Sequence, residues 1–556
     1  MEQKYQVFNL WCKKATYDKD LITELNNIRH TPEKIEDAFF RELEFGTGGL
    51  RGKIGAGTNR MNVYTVARAT AGLANYLSKT FPERKSVAIG YDTRIKSKLF
   101  AETAANVLAD KGISVHLFNR PLPTPILSYA VRELHCQAGI MITASHNPSA
   151  YNGYKVYGQD GCQITTEAAD NIYTEISKLD YFTSLPDTED SNYITDVPET
   201  VYRNFITDVS SLSLADDIDK NISIIYTPLN GTGIEPVLDI LNKKNFKNIT
   251  VVKEQASPDG TFPTCPFPNP ELPEAMELGL DYARKNNADI LLATDPDCDR
   301  VGVAVKEESD YSLLTGNEVG ILLLDYICMQ RQKRNTMPEN PLCVKTIVTT
   351  DLAEKIAKNY GVEIVNVLTG FKFIGEKIGM LETSGEKSRY LLGFEESCGY
   401  LSGTHARDKD GVNAALLICE MCAYYKKHGS SLSERLKDLY ETYGYSLSAL
   451  LSYTFEGKAG MKKMQMFMQT LRENTVSFGE FSVLEAVDFL TGIDDLPKSD
   501  VLKFILSENT SLIIRPSGTE PKLKFYLCAV AKDEKKASEI IQKLRLCTDT
   551  FVNNYS

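Results

Sequence analysis

The feature that most constrains the fold of this chain is an alternating pattern of strands and helices that occurs three times. In each set, short β-rich runs are separated by helical stretches, and this alternation is typical of parallel strands covered by helices on both faces. The predicted strands are Ser86–Gly90, Ile113–Phe118 and Ala138–Thr143 in the first set, runs beginning at Ile222, Ile249 and Asp289 in the second, and Lys345–Thr349, Glu363–Val367 and Tyr390–Phe394 in the third.

From about Gly444 the pattern changes to strands flanked by helices near Lys458–Glu473 and Asp533–Cys547, which predicts a smaller α+β domain. At about 150 residues per domain, a chain of 556 residues is long enough for three to five domains. We therefore predict an α/β protein with three consecutive α/β domains with mixed sheets, followed by the α+β domain. The predicted ranges are 1–205, 206–316, 317–435 and 436–556.

The formal charge of −12 disfavours binding of nucleic acid or an anionic membrane through bulk charge. No apolar run has the length of about 20 residues that a membrane span needs, and the N-terminus lacks the pattern of a signal peptide. The chain has twelve scattered cysteines. The single C-x-x-C pair, Cys419 and Cys422, lies in an apolar helical stretch and is interpreted as buried, reduced thiols. These features favour the cytoplasm.

Four polar loops follow apolar strands, where open parallel sheets place their ligand crevices. The first loop runs from Thr143 to Pro148. Its Ser145 is a candidate nucleophile or phosphate carrier, and His146 or Lys155 is a candidate for proton transfer beside it. The alternative is an ordinary turn that Ser145 caps.

The second loop places Asp295, Asp297 and Asp299 at alternate positions after the strand DILLA. Three carboxylates on a tight loop can converge on one hard divalent cation, and Mg²⁺ favours such oxygen ligands together with a phosphate oxygen. The alternative is a solvated acidic turn. The position at the end of a buried strand favours the metal site.

The third and fourth loops carry groups suited to a sugar and to a phosphate. The segment Gly393–Tyr400 has carboxylates and a hydroxyl that can bind sugar hydroxyls, although a surface acidic turn is an alternative. The segment Arg515–Pro521 offers an arginine, hydroxyls and small-residue amides that suit a phosphate, and a plain turn is its alternative. Together the four loops point to phosphoryl transfer on a phosphosugar.

The loop sequences TASHNP, DPDCDR, GFEESCGY and RPSGTEP, in this order, resemble the four active-site loops of the α-D-phosphohexomutase superfamily. The segments EFGTGGLRG, GYDTR and LTGFKFIG are similar to the long phosphoglucomutase and phosphopentomutase branch of that superfamily. The resemblance covers essentially the whole chain. It implies a heart-shaped enzyme with a central cleft, in which the four domains carry the phosphoserine, metal-binding, sugar-binding and phosphate-binding loops in turn.

The resemblance also implies roles for individual residues. Ser145 is the expected phosphoserine, and its phosphate would hold Mg²⁺ together with Asp295, Asp297 and Asp299. The expected catalytic residues beside it are Arg300, which contacts the phosphoserine, Arg51, which lines the same site, and the acid/base candidates His146 and Lys155. The expected substrate-binding residues are Thr369, Gly370, Glu395 and Ser397 at the sugar, Lys409 at the ligand, and Arg515, Ser517, Gly518 and Thr519 at the phosphate that is not transferred.

The implied reaction interconverts α-D-glucose 1-phosphate and glucose 6-phosphate, with Mg²⁺ as cofactor and glucose 1,6-bisphosphate as intermediate and activator. Alternatives within the same chemistry are phosphopentomutase activity on ribose 1-phosphate and phosphomannomutase activity. Alternatives of another class are a metal-dependent phosphohydrolase and a non-catalytic sugar-phosphate binding protein. The expected partner is a small sugar phosphate, without nucleic acid or membrane, and the expected assembly is a monomer or homodimer.

Overall fold

The computed structural model describes residues 2–46, 48–186, 191–215, 217–455, 457–473, 477–493, 496–517 and 522–555. Within these residues the chain builds four β-sheets, and each sheet takes its strands from one continuous stretch of sequence. The first three sheets are mixed and are associated with helices, and the fourth is entirely antiparallel. This order agrees with the predicted architecture of three α/β domains and a C-terminal α+β domain.

The first sheet has the strand order β1-β5-β4-β2-β3-β6. Its strands are β1 Gly49–Lys53, β2 Ser86–Tyr91, β3 Ser114–Leu117, β4 Ala138–Ile142, β5 Tyr151–Gly158 and β6 Ile194–Asp196. The helices of this stretch are α1 Glu2–Lys14, α2 Lys19–Ile28, α3 Pro32–Phe39, α4 Val63–Thr80, α5 Ser97–Asp110, α6 Thr124–Glu133, α7 Thr166–Ile176 and α8 Glu199–Ser211. All three strands predicted for the first set are present.

The second sheet has the order β11-β10-β9-β7-β8. Its strands are β7 Ile224–Thr227, β8 Ile249–Val251, β9 Ile290–Thr294, β10 Val301–Lys306 and β11 Tyr311–Leu314, and its helices are α9 Ile234–Lys243, α10 Lys253–Ala256 and α11 Pro273–Asn286. β9 is buried along its whole length. This burial explains why the sequence of β9 is a continuous apolar run rather than an alternating one.

The third sheet has the order β13-β12-β14-β15. Its strands are β12 Leu342–Thr346, β13 Glu363–Val367, β14 Tyr390–Glu395 and β15 Gly399–Leu401, and its helices are α12 Gly316–Lys333, α13 Leu352–Tyr360, α14 Phe371–Thr383, α15 Gly411–Lys427 and α16 Leu432–Tyr443. The first strand predicted for this set was placed too late, because it ends at Thr346. Ile347 and Val348, which follow it, pack instead against the fourth sheet in a separate apolar cluster.

The fourth sheet has the order β16-β20-β19-β18-β17. Its strands are β16 Tyr445–Thr454, β17 Val483–Asp488, β18 Leu502–Leu506, β19 Thr510–Pro516 and β20 Lys522–Ala531, and its helices are α17 Gly457–Glu473 and α18 Glu534–Tyr555. One face of this sheet packs with the two helices into an apolar core that includes Phe467, Leu512, Phe525 and Leu544. The other face carries the polar and charged side chains described below.

The strand before each of the first three predicted loops has the same kind of surroundings. β4, β9 and β14 each pair in parallel with a neighbour on one side and antiparallel on the other side with the strand that follows the loop. Each loop therefore joins two adjacent antiparallel strands at the carboxyl end of a central parallel strand. This position is the one from which loops of α/β sheets reach a ligand crevice.

The cysteines are free thiols throughout the chain, and most of them are buried. Cys419 and Cys422 lie buried in α15, which confirms the interpretation of the C-x-x-C pair as part of the core.

No helix in the described parts of the chain combines the length and the apolar character needed to cross a bilayer.

Candidate active site

Ser145 lies at the turn of the first loop, with its side chain directed at the second domain. Its hydroxyl donates to Oδ2 of Asp295 at 2.7 Å and lies 3.2 Å from Nδ1 of His146. The backbone of Ser145 has φ of 50°, a left-handed conformation that is uncommon for residues other than glycine. Cys298 and Cys398, in the second and third loops, share this conformation, with φ of 51° and 60°. Backbone strain of this kind collects at functional sites.

A buried hydrogen-bond chain fixes the backbone of Ser145. The amide of Ser145 donates to Oγ1 of Thr143 at 2.8 Å, and the Thr143 hydroxyl donates to Oδ2 of Asp92 at 2.6 Å. Oδ1 of Asp92 in turn accepts from the amide of Arg94 at 2.9 Å and from the Ser97 hydroxyl at 2.7 Å. The side chain of Asp92 therefore links the GYDTR segment to the serine loop.

Arg94 supports the same loop from below. Its buried guanidinium donates to the carbonyl oxygens of Ser145 and Asn147, to that of Pro148 at 2.9 Å and to that of Tyr151 at 3.1 Å. The guanidinium also lies 5.0 Å from the centre of the Phe262 ring, which belongs to the second domain. One arginine thus holds four backbone carbonyls of the segment that presents the serine hydroxyl.

Arg94→Lys is expected to lower kcat about 100-fold while KM changes by less than about threefold. Lysine keeps the charge but lacks the planar fork that reaches several acceptors at once, and a displacement of about 1 Å at a reacting atom can cost about 100-fold in rate. Steady-state kinetics on the purified variant will measure both constants. Arg284→Lys, which changes an exposed arginine paired with Asp281 and Asp310, is the matched control. An unchanged kcat in Arg94→Lys would contradict this role.

Asp295, Asp297 and Asp299 are buried and bring one carboxylate oxygen each to within 4.8 Å of the others. Within the described part of the chain, Oδ1 of Asp297 and Oδ1 of Asp299 are buried without a hydrogen-bond partner. Burial and the repulsion of the two neighbouring carboxylates raise the pKa of Asp295 well above its ordinary value. A divalent cation would satisfy the two free oxygens and offset this repulsion, so the site fits a hard metal ion.

The first domain holds the metal-binding loop in place from the side. The Thr124 hydroxyl donates to Oδ2 of Asp297 at 2.9 Å, and Nζ of Lys155 donates to the same oxygen at 2.9 Å. Nζ of Lys155 also lies 3.7 Å from Asp299. Burial opposes the charge of Lys155, but Asp297 and Asp299 outweigh it and raise the pKa of the lysine. The structure thus brings the serine loop, the lysine and the acidic loop together.

Lys409 reaches this cluster from the third domain. Its Nζ lies 3.1 Å from Oδ2 of Asp299, and the neighbouring Asp408 accepts from the hydroxyl of Tyr157 of the first domain at 2.8 Å. The amide of Gly411 donates to the carbonyl of Cys298 at 3.0 Å. A Cβ at Gly411 would lie 2.6 Å from that carbonyl, so only glycine allows this close approach. The segment around Lys409 therefore contacts both other domains.

The structure places Arg300 and Arg51 beside the serine loop, each with a specific partner. Arg300 forms an ion pair with Glu271, and Nη1 of Arg51 donates to Oδ1 of Asn147 at 3.1 Å. Burial, together with the charges of Arg300 and Arg51, lowers the pKa of His146 well below its ordinary value. These effects favour the neutral form of the His146 imidazole.

The predicted sugar-binding residues lie at the start of α14 and at the end of β14. Oε1 of the buried Glu395 accepts from the amide of Gly370 at 3.1 Å. Gly370 has φ of 121°, a conformation that favours glycine. The hydroxyl oxygen of Thr369 is buried and has no partner among the described residues. Ser397 follows in the turn between β14 and β15, partly buried.

Arg515 lies near the end of β19 and Ser517 directly after it, while Gly518 and Thr519 fall outside the described residues. Lys524, on β20, is paired in register with Arg515. Burial and the charges of Arg515 and Arg300 lower the pKa of Lys524, which Glu396 and Glu271 partly offset. Like charges opposite each other across two strands are unfavourable by themselves, so this pair indicates a place for an anion.

Sequence reasoning assigned no role to Asp92, Arg94, Thr124, Glu271 or Lys524. The GYDTR segment contributes to the family resemblance, but a buried arginine that binds backbone carbonyls has no sequence signature of its own. Lys524 could have been found from the alternation of lysines at 522 and 524 in the strand after the fourth loop. Thr124 and Glu271 are far in sequence from the residues they contact, and only the fold brings them there.

Comparison with known proteins agrees with this geometry. The descriptions of phosphoglucomutase/phosphomannomutase α/β/α domains I, II and III match residues 42–182, 201–308 and 315–443. The chain belongs to the phosphoglucomutase/phosphomannomutase family. This membership confirms the resemblance to the α-D-phosphohexomutases, and it makes the chain an intramolecular phosphotransferase.

Individual relatives of this family match nearly the whole chain. The phosphoglucomutase of Staphylococcus saprophyticus is 36% identical over 542 residues, which are 94% of this chain and 96% of the relative. The structure of a phosphoglucomutase/phosphomannomutase family protein from Burkholderia thailandensis has a TM-score of 0.67 at 19% identity and covers 91% of this chain and 97% of its own. The open form of parafusin, a phosphoglucomutase of Paramecium, has a TM-score of 0.68 at 19% identity, with 92% and 95% covered. These two structures share the fold.

Proposed function

We propose that this chain is a phosphoglucomutase that interconverts α-D-glucose 1-phosphate and glucose 6-phosphate. The observation that carries the proposal is the convergence of Ser145, the three aspartates and Lys409 from three domains, with the serine hydroxyl 2.7 Å from Asp295. The naming of the 36% identical relative as a phosphoglucomutase supports the choice of substrate. In this structure Ser145 carries a free hydroxyl, and its oxygen is the atom to which the phosphate would be attached.

In the proposed reaction, the phosphoryl group of phospho-Ser145 passes to a free hydroxyl of the sugar phosphate. The bond from phosphorus to the serine oxygen breaks, and a bond from phosphorus to the sugar oxygen forms. The sugar hydroxyl loses its proton as it attacks, and the serine oxygen that leaves phosphorus takes up a proton to become the Ser145 hydroxyl. Lys155, His146 and Lys409 are the candidates for carrying these protons, since all three lie at the cluster. Arg300 and Arg51 place positive charge beside the transferring group, where most phosphoryl-transfer catalysis arises.

Asp295, Asp297 and Asp299 would hold Mg²⁺ together with a phosphate oxygen on Ser145. When bound, the ion would neutralise charge on the transferring group and orient it. The residues of the chain prepare this site, because Thr124 and Lys155 fix Asp297 while its second oxygen stays free.

The product of the first transfer is glucose 1,6-bisphosphate. This intermediate has to reverse its orientation in the cleft, so that its other phosphate can be transferred back to Ser145. Glu395, Ser397, Thr369 and Gly370 are proposed to bind the sugar ring during this exchange. Arg515, Ser517, Gly518, Thr519 and Lys524 are proposed to bind whichever phosphate is not being transferred. A separate phosphate site on the fourth domain suits this reaction, because either phosphate of the ligand can be bound there while the other one lies at Ser145.

The decisive experiment is a coupled assay with Mg²⁺ and a trace of glucose 1,6-bisphosphate on glucose 1-phosphate, mannose 1-phosphate and ribose 1-phosphate. The proposal expects the highest kcat/KM with glucose 1-phosphate. A preference for ribose 1-phosphate would change the assigned substrate but leave the proposed phosphoryl-transfer mechanism as it is. Release of inorganic phosphate in step with substrate loss would identify a phosphohydrolase instead.

Arg515→Ala is expected to raise KM for glucose 1-phosphate about 10- to 100-fold with a smaller change in kcat. The variant removes a charge-assisted contact to the phosphate that does not react, which is worth about 1.5–3 kcal/mol. Steady-state kinetics will separate the two constants. Arg545→Ala, on the exposed surface of α18, is the control. A fall in kcat at constant KM would contradict the proposed role of Arg515.

We also propose the domain ranges 1–205, 206–316, 317–435 and 436–556, which are supported by the four separate sheets. The proposed location is the cytoplasm, supported by the free thiols of all twelve cysteines, which suit a reducing compartment. The proposed ligand is a small sugar phosphate, and the proposed assembly is a monomer or homodimer.

A further inference from the structure

A cavity of about 340 Å³ lies between the fourth sheet and the second and third domains, next to the proposed catalytic cleft. Among the described residues, its wall includes Glu396 and Cys398 but not Glu395 or Ser397. The turn that is proposed to bind the sugar therefore alternates: Glu396 and Cys398 face the cavity, and Glu395 and Ser397 are proposed to face the cleft. The volume falls within the range of small-molecule sites, about 300–1,000 Å³.

One wall of the cavity is the face of the fourth sheet that is turned away from its two helices. Ile513 and Tyr526 line it, and they are cross-strand partners on β19 and β20. Arg515 and Lys524, the next cross-strand pair on the same face, belong to the proposed phosphate site. A ligand in the cavity would thus contact Ile513 and Tyr526, each of which is two residues along its strand from a cation of the proposed phosphate site.

The opposite wall comes from the third domain, at Ile347, Val348 and the start of α12. Polar contacts beside the cavity join the two walls, since Nδ2 of Asn317 donates to Oγ of Ser448 at 3.2 Å and the hydroxyls of Thr350 and Ser446 lie 3.2 Å apart. A molecule between the walls would stabilise the arrangement in which the fourth domain faces the sugar-binding turn.

The charges at the cavity distinguish between possible ligands. Glu271 is paired with Arg300, and Asp351 lies 3.2 Å from Lys345 and 3.8 Å from Lys503. Glu396 has no cation within ion-pair distance in the described part of the chain, and its Oε2 accepts from the Thr346 hydroxyl at 3.4 Å. Burial and the charges of Glu395 and Glu271 raise the pKa of Glu396 to about 7. Arg515 lowers this pKa only slightly from beyond ion-pair distance, and an ammonium group placed here would bring a cation into direct contact with the Glu396 carboxylate.

We infer that this cavity is an effector site for a small, largely apolar molecule that carries a primary amine, with the amine at Glu396 and the apolar part against the side of the cluster formed by Ile347, Val348, Ile513 and Tyr526. Because the site includes Glu396 of the sugar-binding turn and the pair Ile513 and Tyr526, next in register to Arg515 and Lys524, its occupation and substrate binding are coupled. The coupling is reciprocal and favours the substrate, since the ligand holds the two walls in the arrangement described here.

The test uses the full chain with 4-phenylbutylamine as probe and 4-phenylbutyrate as its matched control of opposite charge. Isothermal titration calorimetry is expected to show saturable binding of the amine and not of the acid. The effect on catalysis rests on the proposed function: the amine is expected to lower KM for glucose 1-phosphate about fivefold, near the low end of allosteric coupling. Since calorimetry needs no turnover, failure of the cavity proposal is distinguishable from failure of the proposed function.

Three variants make the test specific. Ser511→Phe, which fills the cavity, and Glu396→Gln, which removes the carboxylate, are each expected to weaken binding of 4-phenylbutylamine at least about tenfold. Ser482→Phe, at an exposed position of the same domain, is expected to bind it as the wild type does. Absence of saturable binding to the wild type, equal binding by Ser511→Phe, or an unchanged or higher KM with the amine bound would overturn the proposal.

Discussion

Replacement of Ser145 with alanine is expected to abolish mutase activity, with a fall in kcat of about 10⁴-fold or more, as is usual when a covalent nucleophile is removed. The hydroxyl at this position lies 2.7 Å from Asp295 and 3.2 Å from His146. It is held there by the Thr143 and Asp92 chain and by Arg94. No other hydroxyl is proposed to take over as phosphate carrier.

The measurement is the coupled assay together with detection of the phosphorylated residue after incubation with glucose 1,6-bisphosphate. Phosphate is expected on Ser145 in the wild type and absent from the alanine variant. Ser149→Ala, four residues away and directly after the same loop, is the matched control and is expected to keep its activity. Substantial mutase activity in Ser145→Ala would refute the assignment of the phosphoserine.

Asp297→Asn is expected to lower kcat/KM about 10³-fold at fixed Mg²⁺ and to raise the Mg²⁺ concentration needed for half-maximal rate. Asparagine has nearly the same shape but removes one of the three charges that would hold the ion, and metal stabilisation of a transferring group is worth several kcal/mol. The wild type is likewise expected to lose activity with a chelator and to regain it when Mg²⁺ is restored.

Titration of Mg²⁺ into wild type and variant by calorimetry gives a readout that does not depend on turnover. Asp310→Asn changes an exposed aspartate paired with Arg284, and it is expected to behave as the wild type in both measurements. If Asp297→Asn bound Mg²⁺ with unchanged affinity, the three aspartates would not form the metal site.

Much of the fold was predictable because its signals are local. Buried strands such as β4 and β9 are short apolar runs, and turn residues mark their ends, so the rhythm of three α/β units is visible in the chain itself. The strand predicted at Lys345–Thr349 was misplaced for a reason that is not local. Ile347 and Val348 are as apolar as a strand, but they pack against Ile513 and Tyr526 of another sheet.

The residues of the candidate site also fall into two groups, those that local sequence motifs predicted and those that only the tertiary structure revealed. The sequence by itself predicted roles for Ser145, the three aspartates, Glu395 and Arg515, because each belongs to a short motif whose chemistry depends on neighbouring residues. Only the tertiary structure decided that Arg94 supports the serine loop, that Thr124 and Lys155 hold Asp297, that Arg300 pairs with Glu271 and that Lys524 stands beside Arg515. The physical reason is that these contacts join residues on different loops, strands or domains, and hydrogen bonds and ion pairs across such distances leave no periodicity or spacing in the chain.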